Sequence, residues 1–344
     1  MRTVLVNGKG DILVEHVKIP ELIENGVLCK NRFSLISSGT ETSLILNRRE
    51  KGSEEPKFPL GYCTAGIANV VGKKCKDIGS GERIACGGWT IAVHGDMVSV
   101  PRNLLAKVPE GVSLKEASFA TLACIALHGI RRSQVDIGDT VVVIGQGIIG
   151  QMCAQFARIA GARVVVSGHR DFRLKISRKL GADLAINANK DDPVKNIMEF
   201  TQSKGADVIF ICSGGDNSDA FDQAVQMARD RAKIILIGSS STISCDDQIF
   251  YRKELSLLRS RSYGPGRYDA KYEQEGHDYP IGYVKWTENR NMQEVLRLMD
   301  QGLLKVSPLI TDEFPLQRAP EAYQKIMEHR DTVLGVILRY EDVE

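Results

Sequence analysis

The stretch VVVIGQGIIGQ at 141–151 restricts what this chain can fold into more than any other feature. An apolar run meets Gly145-Gln146-Gly147-Ile148-Ile149-Gly150, an apolar helical segment (IIGQMCAQFARIAGA) follows, and a second apolar run, RVVVSG, comes next. Alone, G-x-G-x-x-G marks only a tight turn. Between two strands and opening a helix, it marks a βαβ unit that binds a dinucleotide. Gly145 permits the turn, Gly147 lets a pyrophosphate approach the backbone, and Gly150 lets helix and strand pack closely. The helix N-terminus then offers free N–H groups and a partial positive charge to the phosphates.

The pattern continues on both sides of this unit. TVVVIG, RVVVSG, DLAIN, DVIFICSG and AKIILIG alternate with helical segments such as SDAFDQAVQMARDRA, which predicts a doubly wound parallel sheet. Residues Cys212, Ser213, Gly238 and Ser239, at the carboxyl ends of two of these strands, are further candidates for cofactor contact. Before residue 120 the runs are shorter and alternate (GVLCKNRFSLI, GIANVVG, ERIACGG, DMVSVP), punctuated by Gly, Pro and Ser, as in a small β-rich barrel. The expected fold class is α/β. Residues 123–263 form the nucleotide domain, and 1–122 with 264–344 form the other.

Size and charge exclude several alternatives. At 344 residues the chain supports two cores, and 45 basic against 43 acidic residues give no reason to seek nucleic acid or a membrane surface. The N-terminus alternates like a strand and carries no apolar signal core. Eight scattered cysteines do not resemble a disulfide framework, so a reducing cytoplasm is the expected compartment.

The second strand decides which dinucleotide is expected. Asp171 lies at the spacing of an acid that grips the adenosine ribose, but the strand's last buried valine, Val166, puts Gly168 over the ribose. Gly168 leaves room where a carboxylate would repel a phosphate, and His169 and Arg170 bring donors and positive charge. NADP(H) is therefore expected over NAD(H).

Taken together, FPLGYCTAGIANVVG, GSGERIACGG, VPEGVSLKEASFATLACIALHGI, VVVIGQGIIGQMCAQFARIAGA and LGADLAIN resemble, in order, the medium-chain dehydrogenase/reductase superfamily that includes zinc alcohol and polyol dehydrogenases. The resemblance implies a GroES-like β-barrel catalytic domain, completed by the C-terminal segment, and a Rossmann nucleotide domain. The active site is expected in the cleft against the nucleotide domain. SLISSGTETS and the segment 261–292 resemble one branch, the dehydrogenase half of bacterial bi-domain oxidoreductases, in which a second oxidoreductase-like module follows. A homodimer or homotetramer is expected, with a small polar substrate.

Matched to the zinc members, this chain places Ser38 at the ligand cysteine, Tyr62 at the ligand histidine, Cys63 at the neighbouring acid and Thr121 near the third ligand. Ser, Tyr and Thr make a poor zinc site. A rival donor set, Glu41, Cys63, His94 and Cys124, has no metal-ligand spacing. No metal is therefore expected.

Catalysis then falls to hydroxyls. Thr40 matches the hydroxyl of the family's proton relay, and Tyr62 replaces a metal ligand, so its phenol is a candidate donor to the reacting oxygen or a filler of the vacated space. Glu41 is a candidate loop orienter, His94 a candidate relay, and His128 a packing residue. In the polar, aromatic segment 263–290, Arg267, Tyr268, Lys285 and Trp286, with Ser38, are candidate substrate contacts; a subunit interface would use the same residue types. The leading expectation is a zinc-independent NADP(H) oxidoreductase interconverting an alcohol and a ketone on a sugar or other polyhydroxylated compound. A quinone- or enoyl-type reductase and a non-catalytic nucleotide-binding sensor or assembly subunit are the alternatives.

Overall fold

The computed structural model describes residues 1–52, 54–214, 217–238 and 243–341. The chain divides into two compact units: Met1–Leu122 with Pro265–Gly302 and Val306–Glu344, and Ala123–Gly264 with Leu303–Lys305. Among the described residues no helix is long and apolar enough to cross a membrane.

The first unit holds two sheets. Strands β1 (Arg2–Val6) and β2 (Ile12–His16) form a hairpin joined by the short β4 (Phe58–Pro59). The larger sheet contains β3 (Gly26–Leu35), β5 (Cys63–Val71), β6 (Arg83–Gly87), β7 (Met97–Pro101), β8 (Leu105–Lys107), β15 (Ile310–Pro315) and β16 (Gly335–Arg339). Its order is β15-β16-β3-β5-β6-β8, with β7 also on β3. The C-terminal strand β16 thus pairs antiparallel with β3, Leu338 opposite Ser34, and returns the end of the chain to its beginning. Alternating residues put Val27, Cys29, Ile84, Cys86 and Val98 in one core, while Val4, Ile36, Ile45, Leu60, Tyr323 and Leu338 form another.

Sequence reasoning assigned no helix after SLISSG, yet α1 (Thr40–Lys51) stands there. Glu41 lies in its first turn and Arg48, Arg49 and Lys51 in its last, matching the helix dipole, and Gly52 closes it in the left-handed conformation. The unit's other helices are α2 (Leu114–Ala117), α9 (Ala270–Glu273), α10 (Glu288–Asp300) and α11 (Ala319–Glu328).

The second unit is a six-stranded parallel sheet of β9 (Thr140–Ile144), β10 (Arg163–Gly168), β11 (Leu184–Asn187), β12 (Ala206–Ile211), β13 (Ala228–Ile237) and β14 (Ser256–Ser260), in the order β11-β10-β9-β12-β13-β14. Helices α3 (Ala120–Ser133), α4 (Ile148–Ile159), α5 (Asp171–Lys179), α6 (Pro193–Phe200), α7 (Ser218–Met227) and α8 (Asp247–Arg252) accompany it. Strand order reverses between β9 and β12, the switch point where such sheets bind ligands at their carboxyl ends. Val142, Val165, Ile209 and Ile234 are fully buried, as strands covered on both faces require. One boundary differs from the sequence pattern: ARDRA, read as the end of a helix, opens β13 instead. Ala228 pairs with Ala206, and the bulge that follows takes Arg231 to a φ of 60°.

Candidate active site

In the second unit, the glycine-rich residues join β9 to α4 as the motif requires. Gly145 has a φ of 92°, which only glycine adopts without strain. A Cβ on Gly150 would stand 1.9 Å from the Gly145 carbonyl oxygen, so helix and turn touch at backbone level. A Cβ on Gly147 would meet nothing within 4 Å. The open side of the turn therefore faces the N-terminus of α4, where Gly147 provides no side-chain cap for the first N–H groups. Ile148 is buried beneath it and Ile149 is half-buried. These residues fit a pyrophosphate.

Gln146 serves the turn from within. Its amide donates to the Val143 carbonyl at 2.9 Å and accepts from the Ser177 hydroxyl at 2.9 Å. A Cβ on Gly168 would lie 3.3 Å from the Gln146 stem, so close packing against the turn also favours glycine there. Beyond Gly168, the His169 ring Nδ1 meets Asn189 Oδ1 at 3.0 Å, and Asn189 Nδ2 donates to the His169 carbonyl at 2.9 Å. That arrangement puts a proton on Nδ1, so Nε2 donates to an anion when the ring is protonated. Asp171 is committed elsewhere. Its carboxylate accepts from Lys190 and Asn187, both at 2.6 Å, and those bonds hold it below the usual carboxylate range. At the far side of the switch point, the Cys212 N–H donates to the Ile144 carbonyl at 2.8 Å and the Ser213 hydroxyl to Asn217 Oδ1 at 2.7 Å. Gly238 follows β13 with a φ of 92°, and Ser239 lies outside the described residues.

The first unit assembles Glu41, Tyr62 and His94 into one buried polar network that reaches the exposed Thr40. Tyr62 is 4% exposed, with its hydroxyl 2.6 Å from Ser37 Oγ and 3.4 Å from Oγ1 of the exposed Thr40. Burial first, then the charge of Cys63, pushes the phenol far above its ordinary range against the hydrogen bonds from Ser37 and Thr40. It stays neutral and acts only by hydrogen bonding. Glu41 is wholly buried. Its Oε1 accepts the Ser37 N–H at 2.7 Å, and its Oε2 accepts from the Tyr323 hydroxyl and faces His94 Nε2 at 3.1 Å. His94 Nδ1 lies 2.7 Å from Ser34 Oγ, which lies 2.7 Å from the Tyr340 hydroxyl. The carboxylate only accepts, so Nε2 carries a proton. Glu41 thus braces Ser37, and His94 is an internal strut with no open face.

Ser34, Ser37, Tyr323 and Tyr340 were not foreseen. Tyr323 and Tyr340 come from the last helix and the end of the chain, and no local spacing in the sequence links them to Glu41 or Ser34. Trp89, half-buried, packs its ring 5.7 Å from that of Tyr62.

The zinc positions do not fit a metal. Ser38 offers its carbonyl to Thr42, Tyr62 is bonded as above, and Thr121 donates to the Cys86 carbonyl at 3.3 Å. In the rival set, Glu41 and His94 are bonded to each other, and Cys63 and Cys124 are buried. Among the described residues no group of three or more His, Cys, Asp or Glu side chains stands where a metal ion could be held.

In the segment 263–290, Arg267 is buried in an ion pair with Glu273 at 2.5 Å, its guanidinium 4.1 Å from the Tyr268 ring. Its charge serves the segment's own fold. Tyr268 is 64% exposed, and the Lys285 ammonium lies 5.3 Å from the half-buried Trp286 ring. Tyr272 is buried and stacked on Tyr279. His128 is partly buried; burial, then Arg132, Arg131 and Arg261, lowers its pKa to about 4.

Residues 149–275 match the family described as zinc-binding dehydrogenase. The chain is 34% identical over 176 residues to 2-dehydro-3-deoxy-L-galactonate 5-dehydrogenase of Pseudoalteromonas atlantica, a match spanning 51% of each chain, about half the length of that relative. It is 28% identical to D-guloside 3-dehydrogenase of Shigella flexneri, over 81% of this chain and 76% of that one. Among solved structures, galactitol-1-phosphate dehydrogenase from Escherichia coli shares the fold with a TM-score of 0.82 at 18% identity, covering 98% of this chain and 100% of the other. A dehydrogenase from Sinorhizobium meliloti bound to NADP has a TM-score of 0.79 at 21% identity, covering 98% and 99%. An alcohol dehydrogenase from Escherichia coli complexed with NADH has a TM-score of 0.80 at 22% identity, with the same coverage. In its barrel-and-parallel-sheet fold and its glycine turn, the chain is similar to the zinc-type alcohol dehydrogenase-like branch of the medium-chain dehydrogenase/reductase superfamily.

Proposed function

We propose that this protein is a zinc-independent, NADP(H)-dependent oxidoreductase that interconverts a secondary alcohol and a ketone on a sugar or polyol. The observation that carries the reading is the hydroxyl chain Ser37–Tyr62–Thr40, whose phenol stands at the position matched to a ligand histidine of zinc relatives and which ends on the exposed Thr40. The substrate class follows the relatives, whose names are those of sugar-acid, glycoside and sugar-alcohol dehydrogenases.

A bound nicotinamide supplies or accepts the hydride. Gly145, Gly147, Gly150 and the first turn of α4 hold the pyrophosphate, and the space over Gly168, with His169 and Arg170, takes the 2′-phosphate. The substrate oxygen is the task of the other unit. Ser37 donates to the Tyr62 oxygen, Tyr62 donates to Thr40, and the Thr40 hydroxyl is left to donate to the oxygen on which charge develops. Each bond polarises the next. Donors already in place offset the missing Lewis acid, because they cost no reorganisation as the charge grows. Glu41 fixes the Ser37 backbone, so the chain keeps its direction. Thr40, being exposed, exchanges its proton with water.

The test is nicotinamide absorbance with D-sorbitol, galactitol 1-phosphate, D-arabitol phosphate and a guloside as substrates, each with NADP+ and NAD+. Turnover with a polyhydroxylated alcohol, favouring NADP+, supports the reading. Turnover confined to quinones or enones would replace it.

A further inference from the structure

We propose that Cys153 and Cys212 form a reversible disulfide, with a peroxide as oxidant, that switches off dinucleotide binding. The consequence for binding rests on the reading of the glycine turn as the dinucleotide site; the bond itself does not.

The two sulfurs are 3.8 Å apart, in van der Waals contact, on elements that both frame the switch point of the sheet. Cys153 stands on α4, one turn after Gly150, and Cys212 follows the end of β12. A Cβ on Gly150 would lie 3.5 Å from the Cys212 Cβ, so this face of the helix meets the strand end at side-chain-root distance, within reach of a bridge. Accessibility divides the labour. Cys212 is partly exposed and meets the oxidant; Cys153 is fully buried and serves as the resolving thiol. Burial pushes the Cys153 thiol up, which keeps it from reacting first. A second pair of neighbouring thiols, Cys29 and Cys86, is a built-in contrast: both are wholly buried, so a dissolved peroxide has no entry.

The chemistry balances in two steps. The Cys212 thiolate attacks one peroxide oxygen; the O–O bond breaks, the sulfur becomes a sulfenic acid, and hydroxide leaves as water after taking a proton. Cys153 then forms the S–S bond, its thiol proton passes to the departing hydroxyl, the S–O bond breaks, and a second water leaves. Two thiols lose two electrons in all and the peroxide gains them; a dithiol reverses the result.

Closing 3.8 Å to the roughly 2.05 Å of a disulfide draws α4 and the end of β12 together. The turn between them has no slack. A Cβ on Gly145 would already meet the Ser213 nitrogen at 2.8 Å, and Gly150 rests on the Gly145 carbonyl. The backbone N–H groups at the start of α4 therefore shift from their phosphate positions.

The test treats the full chain with hydrogen peroxide, maps disulfides by mass spectrometry without reductant, and titrates NADPH by fluorescence before oxidation, after it, and after dithiothreitol. The expected result is a Cys153–Cys212 cross-linked peptide, an affinity loss of at least about tenfold, and recovery on reduction. Cys153→Ala, which removes the resolving thiol, should retain its NADPH affinity through peroxide treatment. Single oxidation of Cys212 without the cross-link, or a cross-link with unchanged affinity, overturns the proposal. If the reduced protein binds neither NADPH nor NADH, the dinucleotide reading fails and the binding switch falls with it. The peptide map, read independently, tells that failure from absence of the bond.

Discussion

The Tyr62 hydroxyl lies 2.6 Å from the Ser37 hydroxyl, and the Ser37 N–H is held by the buried Glu41 carboxylate at 2.7 Å. A phenol at the position of a metal-binding histidine is thus tied, through one serine, to a carboxylate that also receives Tyr323 and faces His94. Tyr62→Phe keeps the ring against Trp89 and deletes only the hydroxyl. It is expected to lower kcat by about 100- to 1000-fold with NADPH affinity unchanged. Thr40→Val should act the same way. Steady-state rates and a cofactor titration measure both, and a fully active Tyr62→Phe would make the phenol filler.

Tyr323→Phe removes a donor from a fully buried carboxylate. The loss expected is about 1.5–3 kcal/mol of stability, the usual worth of a hydrogen bond to a charged group. Urea unfolding measures it; an unchanged midpoint would mean that Glu41 does not depend on this bond.

Arg170→Ala should weaken NADPH by about tenfold, roughly 1.4 kcal/mol, and leave NADH nearly unaffected. Equal losses for both cofactors would remove the 2′-phosphate from the account of 168–170.

Glu288 gives a pH dependence. Burial, then the charge of Glu273, pushes its carboxyl up to about 9, against Arg267. The folded state keeps a proton that the unfolded chain releases above about pH 4.3. Stability is therefore fully present below that pH and declines as pH rises toward 9. Glu288→Gln, neutral throughout, should flatten the decline and be the more stable protein at about pH 8. Unfolding midpoints across that range decide; parallel wild-type and variant curves would place the proton elsewhere.

The parallel sheet and its turn were legible because their signals are local: strand period, glycine spacing and helix onset lie within a few dozen residues. The first unit was legible only as short alternating runs. Helix α1 went unread because the run SSGTETS is rich in turn formers, and its stability comes from end charges and from Ile45 in the core. At the site, Thr40, Glu41 and Tyr62 could be nominated from the motif positions they occupy. What each does could not, since Glu41 meets Tyr323 across 282 positions of sequence and Ser34 meets Tyr340 across 306. Arg267 shows the converse. Its composition suggested a ligand contact, but its charge is met by Glu273 six residues on.

The central claim is that hydroxyls occupy the place and role of the metal. It is tested most directly by measuring turnover of one polyol substrate before and after exhaustive chelation, with zinc content determined on the same samples. The account predicts no stoichiometric zinc at the start and an unchanged kcat afterwards. About one zinc per chain, lost together with activity and restored with it on adding zinc back, would contradict it.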